Sequence, residues 1–126
     1  MTPSELPADL RRFILTSIPS VPYLEAVLLL RADPAQEWEA PHLARRLYVP
    51  ESTAAELIAL LRASGIAVDA EAPGKVRYAP APELQALVDS VAHAYTHDLV
   101  AVTRLIHSRI DRRAQQFADA FRFRKE

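Results

Sequence analysis

The sequence contains no cysteine and only two glycines among its 126 residues. The absence of cysteine excludes a disulfide framework and thiolate metal sites, and it is typical of a reducing compartment. Two glycines are too few for a glycine-rich phosphate-binding loop. No nucleophile–base pair and no pair of carboxylates with catalytic spacing is evident. We therefore expect a non-enzymatic protein that uses no cofactor.

Long apolar runs are also missing. The longest, residues 26–30, is far shorter than the roughly 20 residues that a membrane-spanning helix needs. The N-terminal stretch carries Glu5 and Asp9 and lacks the pattern of a signal peptide. These features predict a cytoplasmic protein without a membrane span.

The chain lacks an excess of positive charge, since its formal net charge is -1. This argues against a generic polyanion binder, because affinity for nucleic acid depends largely on neutralising phosphates. The charge is uneven, however. Residues 1–103 hold eight Lys/Arg and thirteen acids, whereas residues 104–126 hold seven Lys/Arg and three acids. The basic end of the chain is therefore its C-terminal tail.

The spacing of apolar residues predicts four helices and then a hairpin. The predicted helices cover residues 4–16, residues 20–32 behind a Ser20 cap, residues 40–47, and residues 50–64 before a Gly65 stop. The second is apolar nearly all round, which is typical of a central core helix. Short β-branched runs at residues 66–69 and 75–79 flank turn residues and predict the hairpin.

A stiff Pro80-Ala81-Pro82 connector separates residues 1–81 from residues 82–126, although we expect one folding unit. Behind the connector, apolar residues repeat every eleven positions, so a straight helix reaching Phe121 would be about 60 Å long. Such a helix either pairs with a second copy or breaks, and Ser108 to Asp111 resembles a capping box. The proposed seam of a homodimer is Leu84, Val88, Val91, Tyr95, Leu99, Val102 and Ile106.

Leu43-Ala44-Arg45-Arg46-Leu47, the apolar positions of the fourth helix, Gly65-Ile66 and the strand at residues 75–78 resemble a winged helix-turn-helix. Among bacterial proteins, residues 20–79 are similar to regulators of the multiple-antibiotic-resistance class. The resemblance implies a mainly α fold with a small β-hairpin wing, an extra N-terminal helix and a long C-terminal dimerisation helix. It also implies a homodimer that binds duplex DNA through the fourth helix, with the wing on the backbone.

The outer face of the fourth helix does not suit DNA, because groove-reading helices use Arg, Lys, Asn or Gln on base edges. Our main interpretation is a transcription-regulator-like protein that acts through protein contacts at Glu51, Ala55, Glu56, Ala59 and Leu60. The alternative is a homodimeric DNA-binding regulator that uses residues 40–65 and the wing at 66–79. Its DNA-contacting residues would be Arg45, Arg46, Ser52, Thr53, Lys75 and Arg77. A solvated face without a role, and a Leu60 packed under the wing or the long helix, also stay open.

The tail combines phenylalanines with cations, and an exposed free end of this composition needs a partner. It is interpreted as an anchor on the protein's own core or on a partner subunit, as a linear motif for another protein or an anionic membrane, or as a phosphate contact. The tail residues assigned to docking are Phe117, Phe121, Arg122, Phe123 and Arg124.

His93 and His97 are four residues apart, a spacing that places two imidazoles on one helix face. No third ligand is identifiable, so we interpret them as exposed or interface histidines rather than as a metal site. A ligand-sensing regulator with an apolar pocket between the core and the long helix is a third functional interpretation.

Overall fold

A computed structural model describes residues 6–108 of the chain. This part is mainly helical and contains one small antiparallel sheet, which confirms the predicted mainly α class with a hairpin. The elements are α1 (Ala8–Ser17), α2 (Val21–Ala32), α3 (Ala40–Leu47), α4 (Glu51–Ser64), β1 (Ala67–Asp69), β2 (Val76–Tyr78), α5 (Pro82–His97) and α6 (Leu99–Ser108).

Local capping chemistry sets several helix limits where the sequence predicts them. The Ser20 hydroxyl accepts a hydrogen bond from the Tyr23 N–H at 3.2 Å and begins α2. Gly65, with φ of 82°, ends α4, and the next N–H bonds back to the Leu61 carbonyl at 3.1 Å. Pro7 and Pro50 precede α1 and α4 instead of lying in their first turns.

The core is centred on α2, most of whose residues are buried, as the sequence predicts. Leu24, Ala26 and Leu30 are fully buried. The Tyr23 hydroxyl lies 3.1 Å from the Ser64 hydroxyl and so ties α2 to the end of α4. Burial raises the pKa of Tyr23, and the hydrogen bond to Ser64 partly opposes that shift.

The hairpin is joined to the segment before α3. β1 and β2 pair antiparallel with Val68 opposite Arg77. Trp38 forms a bridge to Val76, through N–H to carbonyl bonds of 2.8 and 2.9 Å in the two directions. Trp38 was predicted only to precede the third helix, so this third edge of the sheet is an addition to the sequence interpretation.

The long helix breaks at a different place from the one predicted. α5 ends at His97, and the Asp98 side chain accepts a hydrogen bond from the Ala101 N–H at 3.2 Å, so it caps α6. The break therefore comes ten residues before Ser108. Residues 109–111 of the predicted capping box lie outside the described part.

The predicted dimer seam is mostly core. Val88, Val91, Val102 and Ile106 are each at most 1% exposed within the single chain. Their assignment to a dimer interface is therefore wrong, because the apolar period reflects packing against the chain's own core. Leu84 and Tyr95 also pack against that core, and Leu99 alone among the seven is exposed, at 52%.

Within residues 6–108, no single helix is both long and apolar enough to cross a membrane. Together, α1 and α2 meet the length and composition criteria, but a bend of 108° separates them.

The neighbours Leu60 and Leu61 provide a matched test of the α4 orientation. Leu61 is fully buried and Leu60 is 46% exposed. We expect Leu61→Ala to lower the free energy of unfolding by about 2–5 kcal/mol, since it leaves a cavity. Leu60→Ala should change it by about 0.5 kcal/mol or less. Chemical denaturation measures both, and similar losses for the two variants would contradict the described orientation.

Candidate functional site

The outer face of α4 gathers the predicted docking residues on one exposed surface. Glu51, Ala55, Glu56, Ala59 and Leu60 are all exposed, whereas Ala54, Leu57 and Leu61 face the core. Leu60 is not among the side chains packed against the core cluster, which answers the alternative that it is simply a packing residue. We call these five exposed residues the α4 face.

The one positive charge that α4 itself carries is neutralised. Arg62 is the one cation within α4, and its Nε lies 3.0 Å from a carboxylate oxygen of Asp69 in β1. A second guanidinium nitrogen lies 3.3 Å from the other oxygen. Both side chains are more than half exposed, so the pair stabilises the fold by no more than about 1 kcal/mol. Its main effect is that Arg62 adds no net charge to the surface.

The two arginines predicted to contact DNA from α3 have different environments. Arg45 is exposed. The Arg46 guanidinium carbon lies 5.7 Å from the centre of the Trp38 ring, and His42 stacks on Trp38 at 4.5 Å between centroids. Arg46 therefore contributes a cation–π contact to the packing around Trp38. Of the two, Arg45 is the better placed to reach a ligand.

The hairpin presents its two predicted cations unequally. Arg77 is exposed, while Val76 and Tyr78 on either side of it are buried, as expected from the alternation along a strand. Lys75 is half-buried just before β2. Ser52 on α4 is exposed and Thr53 is half-buried. The six predicted DNA-contacting residues thus come from α3, α4 and the hairpin, and four of them are exposed: Arg45, Arg46, Ser52 and Arg77.

Tyr48 is a surface feature that the sequence interpretation treated only as a turn. It follows α3 with φ of 58° and ψ of 46°, the left-handed region that glycine or asparagine usually occupies at helix ends. Its side chain is 95% exposed. Strained backbone conformations concentrate at functional positions. The left-handed conformation of this bulky aromatic therefore makes the turn before α4 a candidate functional position. A tyrosine in place of a C-terminal glycine was the signal available in the sequence.

His93 and His97 stack with their ring centroids 4.0 Å apart and their planes 29° apart. Nearly parallel rings direct their nitrogen lone pairs side by side instead of towards one ion. Within residues 6–108 no group of three or more His, Asp or Glu is arranged to hold a metal. The pair instead lines a groove between α1 and α5.

This α1/α5 groove has a volume of about 750 Å³ and is lined by Leu6, Pro7, Leu10, Asp89, Ser90, His93, Ala94, His97 and Asp98. A smaller cavity of about 280 Å³ lies between α2, α3 and α5 and includes Glu25 and Tyr95. Burial, with a smaller effect of Glu25, raises the pKa of Tyr95. Both spaces border α5, and the ligand-sensing interpretation stays a prediction.

The tail residues assigned to docking, Phe117, Phe121, Arg122, Phe123 and Arg124, lie outside the described residues.

Replacement of Tyr48 tests its conformational strain. A non-glycine residue in the left-handed region costs about 1–2 kcal/mol, and glycine loses about 0.5–1 kcal/mol more entropy on folding. We expect Tyr48→Gly to be more stable than Tyr48→Ala by about 0.5–1 kcal/mol in chemical denaturation. The alanine variant controls for loss of the ring, and a glycine variant less stable than it would show that the turn is not strained.

Comparison with other proteins found no match to a protein-family model, to a curated protein or to a solved structure.

Proposed function

We propose that the chain is a winged-helix, transcription-regulator-like protein that acts mainly through protein contacts of the α4 face. The order α2, α3, α4, β1, β2 supports the winged-helix assignment, with the hairpin as the wing. The Trp38–Val76 bridge ties the segment between α2 and α3 to this hairpin. α3 and α4 are joined by three residues, which suits a helix-turn-helix.

The observation that carries this proposal is the composition of the exposed α4 face. Two carboxylates, Glu51 and Glu56, flank the small apolar residues, and Leu60 is 46% exposed. The nearest cation in α4, Arg62, is paired with Asp69. Phosphates would be repelled by such a surface, whereas a protein partner with apolar and basic groups would match it.

Tyr48 is a second exposed large side chain, three residues before the first residue of α4. Tyrosine is enriched among the residues that dominate protein interfaces, because its ring covers much area with few rotatable bonds. With Leu60, it is one of the four large hydrophobic residues that are exposed in the described chain. Tyr48 and Leu60 are therefore the two apolar anchors that we assign to the interface.

Duplex-DNA binding is retained as the second function because α3 and the wing carry exposed arginines that form no ion pair among the described residues. Arg45 lies on α3 and Arg77 on the wing, and both are exposed. They could contact phosphates on either side of the helix, but Ser52 is the one exposed hydroxyl among the predicted DNA-contacting residues of α4.

The homodimer also stays a prediction. Within the predicted seam, Leu99 is the residue that remains exposed, and its neighbour Val100 is 56% exposed. A dimer would therefore have to form around the start of α6 rather than along the whole stripe.

A photoreactive amino acid placed at Ala59 tests the protein-contact function. We expect discrete adducts with a protein in cells that naturally contain the chain, because Ala59 lies in the α4 face next to the proposed anchor Leu60. The same amino acid at Ala86, exposed on α5, is the control. Leu60→Asp should reduce the Ala59 adducts about tenfold, as expected when an interface anchor is lost. Adducts at both positions alike, or at neither, would contradict the proposal.

Binding to random duplex DNA separates the two functions. We expect no retention at about 50 mM salt, where phosphate contacts are strongest. If the chain binds and the affinity falls steeply with salt, the DNA function is favoured. Arg45→Ala and Arg77→Ala should then each lower the salt slope by about one unit. Arg62→Ala is the matched control, since its charge is already balanced by Asp69.

A further inference from the structure

The α1/α5 groove has no role in the proposed function, yet it is a cavity of substantial size. Leu6, Leu10 and Ala94 give it an apolar lining, while the carboxylates of Asp89 and Asp98 lie at its edge. Its volume of about 750 Å³ falls within the range of roughly 300–1,000 Å³ that proteins use for ligands. A groove with apolar walls and acidic edges suits an occupant that is aromatic and basic.

The chain itself contains such a segment. Three of its four phenylalanines, Phe117, Phe121 and Phe123, lie in the last ten residues. The remaining one, Phe13, is a core residue that is 8% exposed. Residues 109–126 also carry six Lys/Arg and three acids, a net charge of +3. Aromatic rings and cations are thus combined in the part of the sequence beyond Ser108.

The position of α6 allows this segment to reach the groove. α6 follows directly on Asp98, which lines the groove, and its ten residues span about 15 Å. Phe117 comes nine residues after Ser108, and nine residues can extend over about 30 Å. The segment is therefore long enough to return from the end of α6 to the groove.

We propose that the C-terminal segment of the same chain docks in the α1/α5 groove, with Phe117 and Phe121 against Leu6, Leu10 and Ala94. Asp89 is already paired with Arg31 at 2.9 Å, so the attraction for the cations around these rings comes mainly from Asp98. Attachment to the same chain gives the segment an effective concentration of about the millimolar range, so docking needs little intrinsic affinity.

The absence of cysteine makes a direct test available in the full-length chain. Ser90→Cys places a thiol on an exposed wall of the groove, where the native hydroxyl bonds only to the Ala86 carbonyl of its own helix. Ala118→Cys places the second thiol beside Phe117. We expect a short bismaleimide to link the two thiols within one chain in most molecules. The pair Ser52→Cys and Ala118→Cys, with Ser52 exposed on α4, is the matched control and should link at least about tenfold less.

A second experiment removes the aromatic rings of the C-terminal segment. Phe117→Ala with Phe121→Ala should lower the yield of the Ser90–Ala118 link by about tenfold or more, since burial of one phenylalanine changes an equilibrium by at least that factor. The same change should speed the reaction of a single Ser90→Cys thiol with a maleimide and leave a Ser52→Cys thiol unaffected. Far-ultraviolet circular dichroism shows whether the variant keeps its helices. General unfolding would speed the maleimide reaction at both thiols, so a faster reaction at position 90 alone reports on the groove.

Three results would overturn the proposal. Equal yields for the test and control pairs would show a tail without a preferred site. Links only between two chains, which disappear on dilution, would assign the groove to a second copy. Efficient linking of Ser90→Cys to Thr2→Cys in place of Ala118→Cys would assign it to the N-terminal residues. None of these results concerns the α4 face, so the two proposals fail separately.

Discussion

The pair of backbone hydrogen bonds between Trp38 and Val76 is the contact on which the arrangement of the helices depends. It joins residues that are far apart in the chain, and so fixes the start of α3 against the hairpin. The Trp38 ring is then held by His42 and Arg46, one turn apart on α3. Its indole N–H is buried without a partner among the described residues, at a cost of about 1–3 kcal/mol. Burial of a ring of this size more than offsets such a cost.

Once α3 is fixed, α4 has one side determined by the core and one side left for interaction. Leu57 and Leu61 face inward, whereas Glu56 and Leu60 face outward. Packing in the core therefore restricts the choice of residue at the first two positions but not at the second two. The outer residues contribute little to folding and are free to match a partner. The ion pair between Arg62 and Asp69 links the helix end to the hairpin and keeps the local net charge negative.

Features that depend on neighbouring residues could be predicted from the sequence. The Ser20 cap, the Gly65 stop and the limits of α3 each follow from the chemistry of a few adjacent positions. The Trp38 bridge could not be predicted, because nothing local identifies a partner 38 residues away. The apolar repeat after residue 82 was interpreted wrongly for a different reason. Its period shows that one side is buried but does not say whether the chain's own core or a second chain buries it.

The candidate site was predictable in part. The exposure of the α4 face follows from helical periodicity, but the pairing of Arg62 and the use of Arg46 in packing depend on tertiary contacts. The strain at Tyr48 had a local signal, a tyrosine where a helix end usually has glycine, but the exposure of its ring depends on the tertiary structure.

The break between α5 and α6, where Asp98 caps α6, determines whether burial of this apolar surface needs one chain or two. In one unbroken helix, the apolar side chains after residue 82 would stay exposed to water until a second chain bound. The apparent stability of the fold would then depend on the protein concentration. Because Val88, Val91, Val102 and Ile106 are buried within one chain, their contribution to the free energy of folding is unimolecular. That contribution is the same in a dilute solution as in a concentrated one.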